Sequence, residues 1–254
     1  MDVQERAGAV LSKRIIPTLL VKGRQLFKGE KFNPWRSVGL AAQAVRIHQQ
    51  RGVDEICILD VTATKEGRGP DLALIEELSS VLFSPLAVGG GVKSVEDVKA
   101  LLRAGADKVV VGTAAQQLVA TRDAQEWRIR LMADAVGSQA IVAALDVPKE
   151  DTAEQAAITA HLLAQHGAGE ILLTRMDREG TMEGYDLDVI RAVSSAVGIP
   201  VIAHGGAGKY HHMVEAVQAG ASAVAAGAMF QFTDQTPKDA ARYLQQHGIE
   251  ARIQ

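Results

Sequence analysis

Ser84-Pro85-Leu86-Ala87-Val88-Gly89-Gly90-Gly91 and Ile199-Pro200-Val201-Ile202-Ala203-His204-Gly205-Gly206 stand 115 residues apart in this chain. Each is an apolar run that follows a proline and closes on consecutive glycines. The same offset carries Gly52-Val53-Asp54-Glu55-Ile56 onto Gly167-Ala168-Gly169-Glu170-Ile171, and Ala104-Gly105-Ala106 onto Ala219-Gly220-Ala221. It also carries Val111-Gly112 onto Ala226-Gly227. An offset held constant through runs, turns and the stretches between them marks a tandem half-structure. Glycines at strand ends let backbone N–H groups come close to an anion, and the start of a following helix adds partial positive charge. Two such segments in a duplicated fold suggest a ligand with a phosphate at each end. One would sit near Gly90, Gly91, Gly112 and Thr113, the other near Gly205, Gly206, Ala226 and Gly227.

Working outward, short runs rich in Val, Ile and Leu recur along the chain. They are Arg14 to Val21, Glu55 to Val61, Pro85 to Val88, Lys108 to Val111, Ala140 to Leu145, Glu170 to Leu173, Pro200 to Ala203 and Ala223 to Ala226. They lack strict alternation, as parallel strands buried on both faces do. Amphipathic stretches lie between them, among them Ser94 to Ala104, Thr152 to His166 and Asp186 to Val197. Eight strand-then-helix units fit a chain of 254 residues. The expected fold is therefore an α/β (β/α)8 barrel built from two duplicated half-barrels. No Pro/Gly/Ser-rich linker divides it, so we expect one domain over residues 13–254, preceded by a short flexible or helical extension over residues 1–12. In such a barrel the active site lies on the loops after the strands' C-terminal ends, where both glycine segments fall.

Composition narrows the classes of function. A net charge of −3 and an aromatic content of 4% offer neither a basic field nor a stacking surface for nucleic acid. No stretch reaches the roughly 18 apolar residues of a membrane span, and Met1 to Ser12 do not read as a signal peptide. Cys57 is the only cysteine, which rules out an intrachain disulfide and points to a reducing, cytoplasmic setting. Its neighbours Ile56, Ile58 and Leu59 make it a buried structural thiol. No group of residues has metal-ligand spacing and no cofactor is expected.

Two aspartates end strands at the barrel mouth: Asp60 after the second apolar run and Asp146 after the fifth. Asp146 follows Ala143-Ala144-Leu145, and an apolar setting raises a carboxyl toward the range useful for proton transfer. Asp60, in Leu59-Asp60-Val61-Thr62, reads equally as a site residue or as a structural hydrogen-bond hub. The polar loop Thr174-Arg175-Met176-Asp177-Arg178-Glu179-Gly180-Thr181 follows the sixth run and suits a substrate, with Glu179 and Gly180 as candidates. His204 adjoins the second glycine pair, where an imidazole could meet phosphate, whereas His211 and His212 read as surface residues at a helix start. At the opposite end, Arg14, Glu55, Lys108 and Glu170 all sit where strands begin. They either close into a ring of ion pairs or remain four separately solvated charges.

The chain resembles the synthase (cyclase) subunit of imidazole glycerol phosphate synthase. The resemblance rests on Lys13-Arg14-Ile15-Ile16-Pro17, Asp54-Glu55, Leu59-Asp60-Val61-Thr62-Ala63, Gly89-Gly90-Gly91 and Gly105-Ala106-Asp107-Lys108. It continues through Gly167-Ala168-Gly169-Glu170, Asp177-Arg178, Gly180-Thr181 and Gly205-Gly206-Ala207-Gly208-Lys209. Family resemblance implies a barrel with one phosphate site in each half and a glutaminase docked on its N-terminal face. Ammonia released there would enter through a gate formed by Arg14, Glu55, Lys108 and Glu170. In the family it meets a bisphosphorylated ribulosyl intermediate, and two aspartates, after the first and fifth strands, move the protons.

The fifth-strand aspartate is present as Asp146, but the first-strand position is Leu20, in Thr18-Leu19-Leu20-Val21. Glu179 replaces an aspartate, Gly112 an asparagine and His204 a serine, and the loop Val147 to Asp151 is short where the family has a longer hairpin. All of these changes fall at the mouth. The resemblance therefore implies a paralogue that takes ammonia to another phosphorylated acceptor, such as a nucleotide sugar. The alternatives are the histidine-pathway synthase itself, an isomerase of the same lineage, and a non-catalytic barrel that scaffolds or regulates a glutaminase.

Overall fold

The computed structural model describes residues 12–31, 33–112 and 128–253. Thr113 and residues 1–11 of the expected extension lie outside them. Eight parallel strands close on themselves: β1 (Arg14–Lys22), β4 (Ile56–Asp60), β5 (Leu86–Gly89), β6 (Lys108–Val111), β7 (Ile141–Val147), β8 (Glu170–Arg175), β9 (Val201–His204) and β10 (Ala223–Ala226). β1 closes the sheet by pairing with β10 over Arg14 to Pro17 and with β4 over Thr18 to Val21. All eight expected strands form, and the fold is the (β/α)8 barrel.

Every second strand residue faces inward. Ile16, Cys57, Val110, Leu172 and Ile202 fill the barrel together with the smaller Ala87, Ala144, Ala223 and Ala225. The alternate set, among it Ile15, Leu19, Ile141, Ala143 and Leu145, packs outward against the helices. Both faces are thus dry, which explains the unbroken apolar runs. Cys57 is buried as expected, and burial pushes its thiol pKa up.

The helices are α1 (Ala41–Gln50), α2 (Leu72–Ser79), α3 (Val95–Arg103), α4 (Arg128–Val136), α5 (Ala153–Gln165), α6 (Leu187–Ala196), α7 (Tyr210–Gln218), α8 (Ala228–Phe232) and α9 (Pro237–Gln246). Side-chain caps set several of their starts. Ser94 and Asp97 form a capping box on α3, and Thr152 and Gln155 form one on α5. Asp71 caps α2 through the Leu74 amide, and Asp186, 115 residues on, caps α6 through the Val189 amide. The repeat therefore extends from the strands to the capping chemistry.

Two strands were not legible in the sequence. β2 (Gln25–Glu30) and β3 (Asn33–Leu40) form an antiparallel hairpin that extends β1 beyond the barrel mouth. The hairpin folds toward the loop after β8: the Lys31 amide donates to the Glu179 carbonyl at 2.7 Å. A Cβ on Gly180, whose φ is +76°, would stand 2.5 Å from the Gly29 carbonyl oxygen, so only glycine fits that approach.

If the halves are equivalent, their caps should weigh alike. We expect Asp71→Ala and Asp186→Ala each to lower unfolding free energy by about 1 kcal/mol in urea titrations, with unchanged m-values.

Candidate functional site

The C-terminal strand ends enclose a cavity of about 320 Å³, large enough for a small phosphorylated molecule. Its wall includes Leu20, Asp60, Gly89, Gly90, Gly91, Gly112, Asp146, Thr174 and His204. A second hollow lies between the hairpin and α1, beside Leu26, Val38, Ile47 and Phe230. Its histidine, His48, has its pKa pushed down to about 4, by burial first and then by Arg51, and so is uncharged near neutral pH.

Asp146 is the central acid of the mouth. Burial raises its carboxyl pKa, against the opposing influence of His204 and a hydrogen bond from Thr174. Strand register places Asp146 beside Thr174, and Thr174 beside His204. The Thr174 hydroxyl lies 3.0 Å from Nδ1 of His204, and both residues are buried. Nε2 of His204 has no hydrogen-bond partner and stands 3.7 Å from a carboxylate oxygen of the buried Glu179. His204 is thus placed between a hydroxyl and a carboxylate.

Register also defines what Leu20 replaces. Leu20 pairs with Leu59 on β4, as Asp146 pairs with Thr174 on β8, and Leu59 and Thr174 are equivalent under the 115-residue repeat. Leu20 therefore occupies the first-half counterpart of Asp146. It is buried and lines the same cavity. One half of the mouth carries an acid where the other carries a hydrocarbon.

The glycine turns keep the duplication. Gly90 and Gly205 have φ of +118° and +86°, and a Cβ on either would meet a carbonyl oxygen: Asp60 at 2.6 Å or Arg175 at 2.9 Å. Asp60 and Arg175 are themselves equivalent positions, and each is a hub. The Asp60 Oδ1 accepts from the Thr62 amide and hydroxyl and from the Ala63 amide, while its Oδ2 pairs with Arg68 at 2.8 Å. Arg175 pairs with Asp177 at 2.8 Å and donates to the carbonyls of Lys149 and Asp151. It thereby ties the short loop after β7 to the loop after β8. Asp60 serves as a hub while still lining the cavity. Gly227 approaches β1, where a Cβ would stand 3.1 Å from the Thr18 carbonyl oxygen, and the preceding Ala226 is buried.

At the opposite end the four charges close. Arg14 reaches Glu55 at 2.6 Å and Glu170 at 3.0 Å, and Lys108 reaches Glu55 at 2.8 Å and Glu170 at 3.0 Å. Cations and anions alternate around this ring, and Glu55 is fully enclosed by it. Burial works against the Arg14 charge, yet Glu55 and Glu170 together leave its pKa raised.

One expectation needs correction. His212 is buried, not on the surface, because its Nδ1 accepts the Gly208 amide at 3.2 Å and fixes the turn that leads into α7. The reading also passed over Thr174 as a site residue and Arg68 as the partner of Asp60. The position of Thr174 gives a signal: like Asp146 and His204 it lies at or just past the end of an apolar run, so the three close neighbouring strands.

With this geometry in place, the chain can be compared with family models. The model described as "Histidine biosynthesis protein" matches residues 14–236. Among the described residues, no helix is long and apolar enough to cross a membrane.

The Asp146 environment has a consequence for stability. Because burial raises the folded-state pKa, ionisation costs the folded chain. The favourable contribution is complete below the unfolded value of about 3.9 and is lost as pH rises through the folded pKa. Asp146→Asn, which mimics the neutral acid, should therefore raise Tm at pH near 8, and the gain should vanish toward pH near 4. Differential scanning calorimetry at the two pH values checks it.

Proposed function

The chain belongs to the histidine biosynthesis protein family, and on that premise we propose that it is the synthase subunit of a glutamine amidotransferase. In this reading a partner glutaminase docks on the N-terminal face of the barrel and ammonia passes inward through the four-charge ring. At the mouth it adds to a phosphorylated acceptor other than the ribulosyl bisphosphate, a nucleotide sugar being the leading class. The observation that carries the reading is the combination of a closed ring at one end with Asp146 standing where its first-half counterpart is Leu20 at the other.

The chemistry follows from the residues present. An alternating ring of two cations and two anions presents a small polar molecule with both donors and acceptors. The side chains above it include the small Ala87, Ala144, Ala223 and Ala225 among the larger Ile16, Val110, Leu172 and Ile202, so ammonia would pass through an apolar, packed interior. Asp146, whose carboxyl pKa burial raises, exchanges protons with the nitrogen that attacks an activated carbonyl or imidate carbon. The glycine turns offer backbone groups to phosphate or pyrophosphate.

Histidine-pathway chemistry is the second reading, favoured by the survival of Asp146 and of glycine turns in both halves. Loss of one proton-transfer group typically costs about 100- to 10,000-fold in rate. The unmodified chain should accordingly turn over the ribulosyl bisphosphate with ammonium far below about 1 s⁻¹. A steady-state rate at or above that value would return the protein to histidine biosynthesis.

The gate is tested separately. Lys108→Ala opens the ring but leaves Arg14 to compensate both glutamates. With the partner glutaminase present, we expect glutamine-dependent product formation to drop by about tenfold or more while ammonium-dependent formation is spared; tenfold corresponds to about 1.4 kcal/mol. Equal ratios in parent and variant would refute the gate.

A further inference from the structure

Leu20 takes a carboxylate away from the mouth, but an imidazole stands in the same layer. Asp146, Thr174 and His204 are register partners on β7, β8 and β9 and line one cavity. The Thr174 hydroxyl lies 3.0 Å from Nδ1 of His204 and, beside Asp146 in the register, lowers the pKa of that carboxyl. A hydroxyl has one proton to give. If it goes to the Asp146 carboxylate, Thr174 accepts from Nδ1–H, and Nε2 is left as the exchangeable nitrogen. Nε2 is buried without a hydrogen-bond partner. The Glu179 carboxylate oxygen at 3.7 Å is too far for a hydrogen bond, yet near enough to balance a positive ring. Asp146 and Glu179 are ionisable groups that face His204. Tyr185, behind Glu179, gives its hydroxyl proton to the Ala225 carbonyl at 3.0 Å.

We propose that His204 is the second proton-transfer group of the mouth, placed by Thr174 and balanced by Glu179, in the role that Leu20 cannot fill. The proposal rests on the ammonia-using reading above. In the step, the ammonia lone pair forms the C–N bond and the C=O π pair moves to oxygen. That oxygen takes the Nε2 proton of the imidazolium, and the excess proton on nitrogen passes to the Asp146 carboxylate. Before the next turnover Asp146 releases its proton and His204 regains one.

Two measurements decide it. The first follows the Asp146 carboxyl by ¹³C NMR titration in the parent, His204→Gln and Thr174→Val. Its midpoint should move upward in both variants, because His204 and the Thr174 hydrogen bond each hold it down. The second is ammonium-dependent turnover of a panel of nucleotide sugars and the ribulosyl bisphosphate between about pH 5.5 and about pH 9. His204→Gln should lower kcat by about 100-fold or more with little change in KM, and abolish the alkaline fall in rate that reports a protonated acid. Glu179→Gln should weaken kcat likewise, while Glu179→Asp should keep most of it; this pair decides the matter if His204→Gln folds poorly. An Asp146 titration unchanged in His204→Gln, or a kcat within about twofold of the parent, overturns the proposal. A parent that turns over none of the panel, yet shows the coupled Asp146 titration, refutes the ammonia-acceptor reading and leaves the coupled pair standing.

Discussion

β1 must pair with two strands at once, with β10 along its first four residues and with β4 along the next four. This stagger tilts the strands and closes the sheet, and most of the architecture follows from it. Closure narrows the interior, which is filled by a mixture of branched side chains (Ile16, Val110, Val142, Leu172 and Ile202) and the smaller Ala87, Ala144, Ala223 and Ala225. It also brings the strand starts of Arg14, Glu55, Lys108 and Glu170 within reach of one another across the axis. A carboxylate as enclosed as Glu55 is costly without compensation, and here both cations contact the same Oε2. The ring is thus a product of closure as well as a brace for it.

The duplication makes the two halves mutual controls. Gly90 and Gly205, Asp71 and Asp186, and the hubs Asp60 and Arg175 stand at equivalent positions, although the hubs carry opposite charge. Backbone geometry has been retained where side-chain chemistry has diverged. Divergence at the mouth sets leucine opposite aspartate at 20 and 146 and leucine opposite threonine at 59 and 174, and at the other end sets Lys108 opposite Ala223. The hairpin belongs to the first half alone. It crosses to the second half at Glu179 and Gly180, so the two halves of the mouth differ in cover as well as in charge.

The strands and the glycine turns were legible in the sequence because each is local. An apolar run or a glycine after a strand carries its own physical reason. The hairpin was not legible, since Gln25-Leu26-Phe27-Lys28-Gly29-Glu30 mixes charge, glycine and aromatic character and is stabilised by β1 and by the loop after β8. The four strand-start charges could be named from their positions, but whether they paired depended on distances across the axis. His204 was read as a phosphate contact because its neighbours in sequence are glycines. Its neighbours in space, Thr174 and Glu179, come from another strand and its loop. His212 failed for the same reason, since burial of a helix-start residue is decided by the turn folded over it.

The lone thiol gives the barrel one more property. Cys57 lies inside the closed sheet, 3% exposed, and its burial disfavours the thiolate that reacts with electrophiles. No second sulfhydryl competes with it. While the barrel stays closed, its packing shields the sulfur from alkylating reagents, and opening of the sheet would expose it. The chain thus carries its own clock for breathing of the cylinder, in which the lag before covalent labelling measures how seldom the staves separate.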